Sequence, residues 1–147
     1  MKRSIRLFVI VSGVILFVTG IAKLIAAGGP AMVIGFHDPI LKISYRAELI
    51  TAGTLELIIA FLCLAGGRRV GLQLWTIAWL SANFAIYRFG RWWLGIHHCL
   101  CFGTIPEALG LSPEAADRIL CSIIGFLLIG SLTLITLRSW LPASESA

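Results

Sequence analysis

Polar residues interrupt the apolar pattern of this chain at a few points only, and those points mark out four long hydrophobic runs. The first extends over 7–27, after a basic start carrying Lys2, Arg3 and Arg6. At 1.5 Å per residue such a run is long enough to cross a hydrocarbon core of about 30 Å. A cleaved secretory signal with Ala27-Gly28 as its exit is the alternative. It fits less well, because Lys23 stands where a cleavage region is small and neutral. Gly28-Gly29-Pro30 breaks this helix, and a mixed segment with His37, Asp38, Pro39, Lys42 and Arg46 follows. A second span is expected over 47–65 and a third over 70–89, joined by the basic turn Gly66-Gly67-Arg68-Arg69. So short a turn makes these two helices antiparallel neighbours.

The longest connection, 90–112, precedes the fourth span, 115–138. Ser112 suits an N-cap, Pro113 the first helical position, and Glu114 the positive end of the helix dipole. Residues 142–147 read as a short polar, disordered tail. No internal repeat and no separable soluble domain stands out, so the expectation is an all-α fold: one polytopic membrane domain, a four-transmembrane-helix bundle. Gly13, Gly20, Gly53 and Gly130 read as close-packing positions between helices.

Composition reinforces the pattern. Of the 147 residues 59% are hydrophobic and 13% charged, half the charged share of a soluble domain. The net charge of +5 raises nucleic acid as a partner. The basic residues sit at the ends of apolar runs and form no stripe, so they speak for membrane topology and against nucleic acid. With the N-terminus inside, Lys2, Arg3, Arg6, Arg68, Arg69 and Arg138 are cytoplasmic, against Lys42, Arg46, Arg88, Arg91 and Arg118 outside. The inner loops hold no acidic residue, whereas the outer segments also hold Asp38, Glu107, Glu114 and Asp117. The expected topology is N-in, C-in, in a bacterial inner membrane, with the lipid bilayer as the first partner. Trp92 and Trp93 outside and Trp140 inside fit interfacial belts.

On that topology, His97-His98-Cys99-Leu100-Cys101-Phe102-Gly103 faces the extracytoplasmic side, where disulfides form and persist. Two thiols one residue apart can close a small strained ring, and strained exposed disulfides exchange readily. His97, His98, Arg88 and Arg91 would favour thiolate over thiol. Cys121, near the outer end of the fourth span, is a third thiol at similar depth. Cys63 lies at the opposite end, cannot reach the pair, and reads as a small buried apolar residue. The outer cysteines form a redox-active dithiol, a structural disulfide, or soft metal ligands. The last lacks the usual two-residue ligand spacing, so no metal is expected.

Lys23, Glu48, Glu56 and Arg88 fall within or at the edge of spans, where charge is costly and faces a bundle interior. Glu48 and Glu56, eight residues and about 80° apart, share a side. One reading pairs Lys23 or Arg88 with Glu48 to fix packing. The other has the cluster tune the thiols above it, or line a site for a proton or a quinone.

Gly20-Ile21-Ala22-Lys23-Leu24, Leu55-Glu56-Leu57, Tyr87-Arg88 and Cys99-Leu100-Cys101-Phe102-Gly103 together resemble the MauE/DoxX-like family of redox-associated four-helix membrane proteins, over residues 7–138. The resemblance implies a methylamine-utilisation MauE-like role, supporting disulfide formation in an extracytoplasmic protein, with Cys99 and Cys101 as the redox pair. The family often has a small residue or proline between these cysteines, where this chain has Leu100. The expected function is a membrane thiol–disulfide component, an oxidoreductase if it is an enzyme. Its partners would be a disulfide-rich secreted protein, and a thioredoxin-like protein or a quinone as electron acceptor. The rival is a non-catalytic anchor or assembly subunit of a redox complex, with structural cysteines; a transporter is weaker, since the short chain shows no inverted repeat.

Overall fold

The computed structural model describes residues 2–29, 37–65, 69–95, 110 and 112–140. These are helical almost throughout, with no strand among them beyond one isolated bridge between His37 and Ser44. Four helices follow in order: α1 (Lys2–Ala27), α2 (Tyr45–Ala65), α3 (Val70–Trp93) and α4 (Pro113–Trp140).

Local chemistry explains where the helices start and stop. α1 ends as the Gly28 and Gly29 N–H groups close back on the carbonyls of Ile25 and Ala26, both at 3.1 Å. Ser44 Oγ accepts from the Ala47 N–H at 3.3 Å, and so caps α2. At α4 the Ala115 N–H donates to Ser112 Oγ at 3.2 Å with Pro113 opening the helix, the arrangement the sequence predicts. α3 runs four residues past its expected end at 89 and stops where Gly95 takes φ +71°, a conformation that favours glycine. The connection expected from residue 90 therefore begins after Trp93.

Neighbouring helices run antiparallel. α1 lies along α2 so closely that a Cβ on either Gly20 or Gly53 would stand 3.0 Å from the carbonyl oxygen of the other. Gly13 meets Cys63 farther along the same seam. α3 lies along α4, with Arg138 against Gly71 at one end and Arg88 on Asp117 at the other. Phe8 of α1 packs on Phe126 and over Gly130 of α4. One end of the bundle thus gathers the start of α1, the end of α2, the start of α3 and the end of α4, with Arg3, Arg6, Arg69 and Arg138. The other end collects Asp38, Glu48, Arg88, Arg91 and Asp117.

Burial runs opposite to that of a soluble protein. Leu7, Val18, Ile25, Ile58, Phe61, Ile86 and Ile129 are exposed on the outer surface. Ser12, Lys23, Glu56, Gln73, Ser81, Arg91 and Ser131 are buried. Water as the solvent would penalise both sets, whereas hydrocarbon favours both. α1, α2 and α4 are long and apolar enough to cross a membrane by length and composition. α3 has 24 residues, but Gln73, Asn83, Arg88 and Arg91 make it the most polar of the four.

The glycine seam is testable. Gly53→Leu forces α1 off α2 and is expected to cost about 1–3 kcal/mol, the range for overpacking. Gly125→Leu, where a Cβ meets nothing within 4 Å, should be near neutral. Unfolding of the purified protein by sodium dodecyl sulfate, followed by circular dichroism, compares the two.

Candidate functional site

The polar end of the bundle is built on the segment between α1 and α2. Asp38 begins a tight turn there: its Oδ1 accepts from the Ile40 and Leu41 N–H groups at 2.7 and 2.8 Å, and its N–H donates to the Ile43 carbonyl at 2.8 Å. Lys42 takes φ 55° to close the turn. These bonds leave Asp38 Oδ2 aimed at α3, where it accepts from Tyr87 Oη at 2.6 Å and from Arg91 Nη1 at 3.0 Å. Arg91 Nη1 also donates to the hydroxyls of Tyr45, at 3.1 Å, and Tyr87, at 3.3 Å. Asp38 is 1% exposed and Arg91 2%. Burial alone would raise the Asp38 carboxyl. The hydrogen bonds from Tyr87, Leu41 and Ile40 and the Arg91 charge outweigh burial and hold it below the usual carboxylate range.

Beneath this clamp stands a second ion pair. Lys23 Nζ of α1 meets Glu56 Oε1 of α2 at 2.5 Å, both nearly inaccessible. The ammonium also lies 5.1 Å from the centre of the Phe84 ring on α3. A third pair, Arg88 with Asp117, ties α3 to α4. The expected pairing of Lys23 or Arg88 with Glu48 is therefore not formed: both cations take other carboxylates. Glu48 contacts the Tyr87 hydroxyl, and its Oε2 is buried with no hydrogen-bond partner.

Lys23, Glu48 and Arg88 nevertheless come together, lining one cavity of about 250 Å³ between α2, α3 and α4. Leu49, Leu80, Leu120 and Ile124 form much of its wall, with Trp79, Phe84 and Tyr87 as its aromatic members. Glu56 lies outside this lining and joins it only through Lys23.

Cys121 is exposed, one turn beyond Asp117 on α4. It lines a groove between α3 and α4 with Arg88, Phe89, Trp92 and Asp117. Its end of the bundle is also where both anchors of the long connection lie, Leu94 after α3 and Ser112 before α4. Cys63 is buried against Gly13 in the main apolar core, as its sequence context suggests. His97, His98, Cys99 and Cys101 lie outside the described residues, as does the tail 142–147. Among the described residues no group of three or more His, Cys, Asp or Glu side chains is set to hold a metal ion.

Sequence reasoning missed the clamp. It read Asp38 as a loop residue and Arg91 as a neighbour of the thiols, and did not single out Tyr45; Asp117, the partner of Arg88, entered only among the outer acidic residues. One signal was available: Tyr87 and Arg91 are four apart and so share a face of α3. That face needed an acidic partner, and Asp38 is one of the few acids at that end.

Removing one member of the clamp by Asp38→Asn or Arg91→Leu strands a buried partner and is expected to cost about 3–5 kcal/mol. Because the Asp38 pKa is lowered in the folded chain, its stabilisation is full above its unfolded value and lost as pH falls through the folded one. Unfolding midpoints measured between pH 2 and 6 should drop below about pH 4, and Asp38→Asn should flatten that limb. At the second pair, Lys23→Met and Glu56→Leu should each destabilise, and the double variant should recover most of the loss in a double-mutant cycle.

Comparison of the chain with protein-family models, with curated proteins and with solved structures finds no match, so its function has to be argued from these residues.

Proposed function

We propose that this chain is a four-span inner-membrane protein, N-in and C-in, that exchanges thiol and disulfide with an extracytoplasmic protein through Cys99 and Cys101. The observation that carries the reading is Cys121. Its exposed thiol stands beside Arg88, at the end of the bundle where the connection containing the pair leaves α3 and returns to α4. The basic cluster at the opposite end supports the orientation. The resemblance of Cys99-Leu100-Cys101-Phe102-Gly103 to the MauE/DoxX-like motif supports the chemistry.

In this scheme a partner thiolate attacks the Cys99–Cys101 disulfide and releases one cysteine as thiolate. A second partner thiolate then resolves the mixed disulfide. The partner loses two electrons and two protons, and the reduced pair passes the electrons to a thioredoxin-like disulfide or a quinone. In this scheme Cys121 is the third thiol, the resolving partner for either cysteine during reoxidation.

A second reading has its own support. Arg88 and Arg91, which the sequence offers as activators of the thiols, are engaged by Asp117 and Asp38 in pairs that join segments of the bundle. On that reading the chain is a non-catalytic anchor or assembly subunit with structural cysteines.

Labelling with a membrane-impermeant maleimide in intact cells tests the first reading, in a Cys63→Ser/Cys121→Ser background. Cys99 and Cys101 should be protected at the outset and labelled from outside after reduction. Labelling from the cytoplasm alone, or no labelling in any redox state, defeats it. Retained function with lowered stability in Cys99→Ser/Cys101→Ser favours the anchor.

A further inference from the structure

We infer that this chain pairs with a second copy of itself through the outward face of α3, where the Asn83 carboxamides of the two copies hydrogen-bond to each other across a two-fold axis. The inference rests on the membrane placement proposed above and is independent of the thiol chemistry.

Asn83 is the fourteenth of the 24 residues of α3, and its side chain is exposed on the outer surface. At 1.5 Å per residue it stands about 15 Å from the nearer end of the helix, at mid-depth of a ~30 Å hydrocarbon core. Its Nδ2 donates to the Trp79 carbonyl at 2.7 Å, the one hydrogen bond it makes among the described residues. A carbonyl accepts only from the nitrogen, so the orientation of the amide is fixed. One N–H and the Oδ1 are left over. Thr51, Thr54, Ser122 and Thr136 are exposed as well, but each gives its single hydroxyl proton to a carbonyl of its own helix. Asn83 has no such local remedy for its second N–H.

Lipid tails offer neither donor nor acceptor at that depth, so the leftover groups call for protein. Two copies inserted with one topology hold their Asn83 residues at the same depth, and a closed two-fold contact sets a residue on its axis against its own copy. A charge in that place would meet its like. A carboxamide with one free donor and one free acceptor complements itself: each copy donates an Nδ2 hydrogen to the Oδ1 of the other, and both groups are met in both chains. The surrounding face suits the same contact. Leu72, Trp75, Trp79 and Ile86 share the outward side of α3 with Asn83, and all four are exposed and uncharged. The two tryptophans supply large, rigid contact area on either copy. Arg88 and Arg91 of the same helix are held by Asp117 and Asp38, so the two copies meet without opposing like charges.

The test reconstitutes the full chain, labelled at the N-terminus with donor or acceptor dye, in phosphatidylcholine vesicles over a range of protein-to-lipid ratios. Energy transfer should fall as lipid dilutes the chain, with a stoichiometry of two. Asn83→Leu should shift that transition about tenfold toward monomer, as two interhelical hydrogen bonds of ordinary strength in lipid imply. Asn83→Gln, which keeps the carboxamide, should retain most of the pairing, and Ile129→Ala, on the outer face of α4, should leave it unchanged. A second measurement leaves Asn83 in place. In the cysteine-free chain Cys63→Ser/Cys99→Ser/Cys101→Ser/Cys121→Ser, added Ile86→Cys should cross-link to its own copy on oxidation, and added Ile129→Cys should not. Monomer at every ratio, undiminished transfer in Asn83→Leu, or cross-linking through position 129 in place of 86 overturns the proposal. The cysteine-free chain should pair as the unmodified one does, so failure of the thiol reading leaves the pairing standing. Carbonate extraction separates the remaining outcomes: a chain retained in the membrane as monomer defeats the pairing alone, whereas a chain washed out defeats the membrane placement and the pairing with it.

Discussion

A charge withdrawn from water into an apolar-surfaced bundle has to bring its counter-charge with it, and that constraint organises this protein. The desolvation penalty of an isolated buried ion runs to several kcal/mol, more than any one packing contact supplies. Asp38, Arg91, Lys23 and Glu56 are each almost wholly buried. Each finds its partner on another helix or in the connecting segment, so that no helix end in this region can shift without exposing or stranding a charge. Helix–helix contact between α1 and α2 is then a matter of glycine against glycine, and Lys23–Glu56 sits within that contact.

The three ion pairs among the described residues divide the work between them. Lys23–Glu56 joins α1 to α2, Arg88–Asp117 joins α3 to α4, and Asp38–Arg91 fastens the segment between α1 and α2 onto α3. The last is the one that connects the two halves at the polar end. Beside it Tyr45 and Tyr87 share Arg91, so the clamp is a small network in which each polar atom relieves the burial of the next. Glu48 stands at the edge of that network and is incompletely served by it. The cavity opens there.

What could be read from the sequence follows from how local each signal is. Ser112 and Pro113 act on the residues next to them, and the start of α4 is where they put it. Gly13, Gly20 and Gly53 mark the seam because only a missing Cβ allows such an approach. α3 continues past its expected end at 89, through Arg91, whose charge is absorbed by Asp38. Asp38 and Arg91 are 53 positions apart, and no periodicity reports a pairing over that distance. The same limit explains Glu48: the right elements were singled out as a cluster, while the partners within it were exchanged. Cys99 and Cys101 lie outside the described residues, and Cys121 is the member of that set whose surroundings are described.

α1 and α2 are both long and apolar enough to cross a membrane, and the Lys23–Glu56 pair bears on how such a crossing would be made. Lys23 in the last turns of α1 and Glu56 near the middle of α2 are each costly to leave unpaired in lipid. Leaving the insertion machinery one at a time, α1 and α2 would each meet lipid with a naked charge. As a preformed hairpin, with Gly20 against Gly53 and the ammonium already on its carboxylate, they present lipid with an apolar outer surface. In a membrane the natural unit of insertion would then be the hairpin of α1 and α2, which are synthesised one after the other.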